Sequence, residues 1–178
     1  MSIIFSSNKE IKNIYRFTLL SILLSCGIIL HFIDLNIPVG GFMLKIGLSN
    51  IIIVCSLFLF GWLDTVVISL LKITITSLLE PNFTGITLLI SMGGAVLSLI
   101  IMIISKYFIK NNIILTSCLG GVFHNFGQLL IVLIITRVIL LLYYTPLLFI
   151  FGIITGYVIG KISNLIYLYL SKFNMRKL

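Results

Sequence analysis

The sequence predicts an all-α membrane protein, a single domain over residues 1–178 folded as a bundle of six transmembrane helices with both termini cytoplasmic. Three observations carry that expectation. The chain is 60% hydrophobic and only 9% charged, too few charges to cover the surface of a soluble domain. Its mean hydropathy is +1.29. Its basic residues gather in alternate connecting segments, as they do when helices cross a bilayer back and forth.

A bilayer core takes about 20 helical residues, and the apolar runs divide on that scale. The first span is expected over about 15–33 and the second over about 44–60. Between them Asn36-Ile37-Pro38-Val39-Gly40-Gly41 cannot continue a helix, because proline removes a donor and glycine raises backbone entropy. The third span, 63–79, follows a tight turn at Gly61-Trp62-Leu63-Asp64, with Trp62 at interfacial depth and Asp64 placed to cap the helix. Glu80-Pro81-Asn82-Phe83-Thr84-Gly85 is the next turn, before a fourth span over 85–104. Polar and basic residues from Lys106 to Asn112 precede a fifth over 113–135. Only Arg137 and Pro146 separate the fifth from a sixth over 138–159, so a five-span reading with one broken helix is the alternative. The basic tail, 161–178, extends the sixth helix or lies on the membrane surface.

Charge sets the orientation. With the N-terminus inside, Lys9, Lys12, Arg16, Lys106, Lys110, Lys161, Lys172, Arg176 and Lys177 fall on the cytoplasmic side, and only Lys45 and Arg137 fall opposite. The net charge of +8 therefore reflects a membrane face, with the lipid bilayer as partner and no nucleic acid. The expected location is the inner (cytoplasmic) membrane of a bacterial cell, as a multi-pass protein. Cys26, Cys55 and Cys118 are isolated in apolar runs and read as packing residues. The N-terminal apolar run is long, and His31 and Asp34 stand where a signal-peptide cleavage site would be.

Polar groups inside apolar runs mark the candidate site. His124, Asn125 and Gln128 lie within five residues of one span. On a helix they form one polar edge, which binds a ligand or clamps neighbouring helices. Lys72 is mid-span, where a charge costs about 3 kcal/mol by insertion scales. Ser69, Thr76 and Glu80 share its stripe, so it meets a polar ligand or pairs with Glu80 or a group on another helix. Lys45, Ser49 and Asn50 surround a helix start whose amides favour an anion or an ordinary cap. His31 and Asp34 form a gate or simply sit in the wet interface. Gly152, Gly156 and Gly160 form a close-packing pattern, and Gly120 and Gly121 open a face of the fifth helix. Ser91, Gly94 and Ser98 do the same on the fourth, Ser21 and Ser25 on the first.

There is no nucleotide-binding P-loop, and no paired aspartates to grip magnesium against a diphosphate. Catalysis by this chain is therefore not expected, nor is a cofactor or a metal.

Several of these residues resemble a known family. They are the Lys45–Asn50 run, the Leu59–Trp62 turn, the basic residue of the third span, and Gly93-Gly94. The string His124-Asn125-x-Gly127-Gln128 follows, then Tyr143-Tyr144-x-Pro146 and Gly152-x-x-x-Gly156. Together they resemble the Gx transporter family, also catalogued as heptaprenyl diphosphate synthase component I, over Ile28 to Lys161. The transporter name implies a six-helix protein similar to the S components of energy-coupling factor vitamin transporters. Those bind a vitamin-like molecule near the outer face and work with a transmembrane coupling protein and two ATPases. Their first helix docks through small residues, a role that falls here to Ser21 and Ser25. The synthase name implies instead a subunit of an isoprenoid enzyme.

Overall fold

The computed structural model describes the backbone of residues 2–34, 36–39, 42–45, 47–80, 84–109 and 112–172, and their side chains from residue 13 onward except in 36–45. Helix α1 (Ser2–Ile33) leads to a hairpin, β1 (Asn36–Val39) and β2 (Phe42–Lys45). Then come α2 (Asn50–Leu59), α3 (Trp62–Leu79), α4 (Gly85–Phe108), α5 (Ile113–Thr136), a 3-10 helix (Ile139–Tyr144) and α6 (Thr145–Lys172).

Among the described residues, five helical stretches are long and apolar enough to cross a membrane: Asn13–Ile33, Trp62–Leu79, Gly85–Phe108, Ile113–Thr136 and Ile139–Lys172. The expected second span is corrected. Residues 36–39 and 42–45 pair as antiparallel strands, in register from Asn36↔Lys45 to Val39↔Phe42, which also adds strands to the all-helical expectation. Gly47 then turns the chain with φ +83, a conformation that side chains disfavour. The helix starts only at Asn50 and spans 10 residues, about 15 Å or half a bilayer core. Residues Ile51 to Leu57 are all buried. An element apolar on every face belongs inside the bundle, and α2 forms the core with Ile68 of α3, Leu99 and Met102 of α4, Ile113 of α5 and Ile159 of α6.

Helices α1 and α3 run parallel, fastened at both ends. Arg16 donates to Asp64 at one end, its Nε at 3.1 Å. His31 Nε2 lies 3.0 Å from Glu80 Oε1 at the other. Asp64 thus engages Arg16, whereas the residue at the helix start is Gly61, with φ 104 and no side-chain cap.

Glycines bring α4, α5 and α6 together. A β-carbon on Gly152 would lie 2.7 Å from Val122 Cα, and one on Gly156 2.6 Å from Cys118 Cα. Gly160 sits similarly against Ile114, Gly121 against the Gly152 carbonyl, and Gly120 against Met102. On the α4 side Ser98 Oγ donates to the Gly120 carbonyl at 2.8 Å. Helix α5 ends at Arg137, in the left-handed region at φ 56. The 3-10 helix makes the join, and Pro146 falls in the first turn of α6, where its missing N–H has no role. Helix α6 continues to Lys172, taking up much of the basic tail.

Candidate functional site

A cavity of about 440 Å³ opens among all six α-helices. At one end it is bordered by the His31–Glu80 pair and by Thr87 near the start of α4. Lys72 lies eight residues before Glu80 on α3, about 12 Å along the helix axis, so the cavity reaches well into the bundle.

Lys72 is buried and is met by the recessed start of α2. Its Nζ donates to Ser49 Oγ at 3.1 Å and to Asn50 Oδ1 at 3.3 Å. An ammonium has three donors, and these two bonds leave one for an occupant. Glu80, expected as a partner of Lys72, is joined to His31 instead.

Asp34 turns away from His31, its expected neighbour, and folds onto the loop before α2. Its Oδ2 accepts from the Gly47 amide at 2.8 Å and the Leu48 amide at 3.1 Å. The amides that the sequence offers to an anion are therefore capped by a carboxylate of the chain itself. Asp34 and Lys72 border the same cavity and form no direct ion pair with each other. The Lys45 backbone ends β2, but its side chain lies outside the described residues.

From α5, His124, Asn125 and Gln128 all border the cavity, and they are committed unequally. His124 packs its ring and its backbone carbonyl closely against Gly94 on α4. Asn125 Nδ2 donates to the Leu148 carbonyl on α6 at 3.0 Å. Gln128 packs its Cγ at Gly94 and also borders the cavity. A tie between helices and a cavity-facing position thus coexist on one polar edge. Ser69, Thr76, Ser91, Ser98 and Thr155 add hydroxyls to the wall, while Ile53, Ile73, Ile90, Ala95 and Leu99 supply apolar surface. Polar side chains outnumber apolar ones along this lining, and a cavity within the roughly 300–1,000 Å³ usual for such sites is suited to a small molecule.

Sequence reasoning missed Asp34 as part of this site, along with the hydroxyls of α4 and Thr155. The cavity draws Lys72, Ser49 and Asn50 together with the α5 edge; Gly152, Gly156 and Gly160 pack α5 against α6.

Residues 23–166, most of the chain, match the family model described as heptaprenyl diphosphate synthase component I. No curated protein and no solved structure matches the chain.

Proposed function

The chain belongs to the heptaprenyl diphosphate synthase component I family, and on that premise we propose that it is the substrate-binding membrane subunit of a small-molecule transporter. The observation that carries this reading is Lys72: a buried cation held by Ser49 and Asn50, in one cavity with His124 and Gln128. Burying a charge inside a membrane protein is costly and marks functional positions. The cargo is a vitamin, a flavin, or a quinone or isoprenoid precursor. Most of its affinity comes from apolar burial, and Lys72, Gln128 and His124 fix its orientation.

In this reading the protein sits in the cytoplasmic membrane with both termini inside, so the His31–Glu80 end of the cavity faces out and the cargo enters there. The chain carries no nucleotide-binding loop, so transport draws on a transmembrane coupling protein and ATPases, as in energy-coupling factor systems. It is not itself an enzyme, because the aspartate pairs that hold a metal diphosphate are missing from the sequence.

The family's description favours a second reading, a non-catalytic accessory subunit of polyprenyl diphosphate synthesis.

Melting of the purified full-length protein against vitamins, flavins and prenyl phosphates tests the binding role. The expected result is an upward shift by one compound class, since a ligand at 100 times its Kd stabilises by about 2.7 kcal/mol. No shift by any compound, with no small molecule in mass spectra of the purified protein, overturns it. Co-purification separates the two readings: ATPases with a coupling protein support transport, and a soluble prenyl synthase supports the accessory role.

A further inference from the structure

We propose that the occupant of this cavity is a zwitterion, with an ammonium group on Asp34 Oδ1 and an anionic group on Lys72. The inference rests on the binding role above and narrows its ligand class.

Two buried and opposite charges border the same cavity without closing on each other. Asp34 is only 9% exposed. Its Oδ2 is used by the Gly47 and Leu48 amides, whereas its Oδ1 is buried with no hydrogen-bond partner. A buried carboxylate oxygen left unpaired costs about 1–3 kcal/mol or more, so something is expected to donate to it. Lys72 has the opposite need: two donors satisfied by Ser49 and Asn50 and a third to place. No single side chain of the described residues serves both.

Singly charged and apolar ligands leave at least one of these groups unmatched, and a neutral polar one meets them only with dipoles. An anion satisfies Lys72 and sets its own charge beside Asp34 and Glu80. A cation satisfies Asp34 and confronts Lys72. A neutral apolar molecule leaves both valences buried and open. In a low-dielectric interior such mismatches weigh heavily, and a zwitterion alone answers both charges. The apolar part of the cavity wall, which includes Ile53 and Ile73, suits a hydrocarbon body joining the two ends.

The spacing of the two ends is tested with ω-amino acids of graded length: γ-aminobutyrate, 6-aminohexanoate and 8-aminooctanoate. Each is compared with the alkylamine and the alkanoate of the same length, by thermal melting of the full-length protein in detergent. One zwitterion is expected to bind at least about tenfold more tightly than either singly charged counterpart, the least that pairing both buried charges implies. Asp34→Asn, which keeps an oxygen for the two amides, is expected to bring that zwitterion down to the affinity of its alkanoate. Alkanoates that match the zwitterions at every length overturn the proposal, because the open oxygen is then hydrated and unread. A series in which nothing binds overturns it too. The wild-type ranking needs no variant, so a poorly folded Asp34→Asn does not blunt the test. If the series fails while a vitamin, flavin or prenyl phosphate still shifts the melting, the binding subunit stands and only the zwitterion falls.

Discussion

Lys72 shows how one side chain governs a site. Its ammonium holds Ser49 and Asn50 at the recessed start of α2, and it balances Asp34 across the cavity. Lys72→Met preserves the apolar stem and removes the charge. The variant is expected to fold, and to lose a charge-assisted contact with the cargo worth about 1.5–3 kcal/mol, a drop in affinity on the order of 10- to 100-fold. Titration by melting shift checks this; undiminished binding would take Lys72 out of the site. The α5 edge gives a paired prediction. Asn125 ties α5 to the Leu148 carbonyl, so Asn125→Ala should cost about 1 kcal/mol of stability. Gln128 lines the cavity and makes no comparable tie, so Gln128→Ala should weaken binding and leave the melting of the unliganded protein near wild type. If the two variants exchange these effects, the assignment of clamp and ligand contact is reversed. These residues were legible in the sequence because polarity inside an apolar run is conspicuous. Asp34 was not. Its role arises when a segment 13 residues downstream folds back to offer two amides, and no local pattern announces that return.

At the scale of elements, the fold depends on a short helix and a glycine seam. Helix α2 has 10 residues, well short of the span expected over about 44–60. The run from Leu44 was apolar enough to read as one span, but hydropathy does not register the backbone turn at Gly47 or the pairing of 36–39 with 42–45. The shortfall is what makes the cavity: a helix starting deep in the bundle leaves space above it, and non-helical backbone at that depth is tolerated where it lines such a space. The seam was readable, since glycine every fourth residue places all three on one helix face. What the spacing could not give is the partner, which is the Ile114–Val122 stretch of α5. Gly152→Ala would drive a β-carbon to 2.7 Å from Val122 Cα, a backbone atom that cannot rotate away. Overpacking of this kind costs about 1–3 kcal/mol, expected as a lower melting temperature. Gly85→Ala is the matched control, since a β-carbon there meets nothing within 4 Å, and its melting should stay within about 0.5 kcal/mol of wild type.

For the whole molecule, the parallel pairing of α1 and α3 limits how the chain crosses a bilayer. Arg16 meets Asp64 at one end and His31 meets Glu80 at the other, so the chain must return between the two helices. That return runs through the hairpin, the loop at Gly47 and α2, which completes a pass although it is too short to span alone. Short connections then reverse the chain between α3 and α4, between α4 and α5, and through the 3-10 helix to α6. Lys106, near the end of α4, reaches the Leu57 carbonyl at the end of α2, 2.8 Å away, which sets those two ends side by side. In the proposed reading the passes come in an even number, the termini fall on one side, and the excess of Lys and Arg there marks that side as cytoplasmic. Fluorescent-protein fusions at either terminus should glow and phosphatase fusions there should be inactive, while a phosphatase inserted between α3 and α4 should be active. An active phosphatase at the C-terminus would break the even count and move the His31–Glu80 end of the cavity inward. A cargo would then be met from the cytoplasm, and the proposed uptake direction would have to be given up even if binding at Lys72 survived.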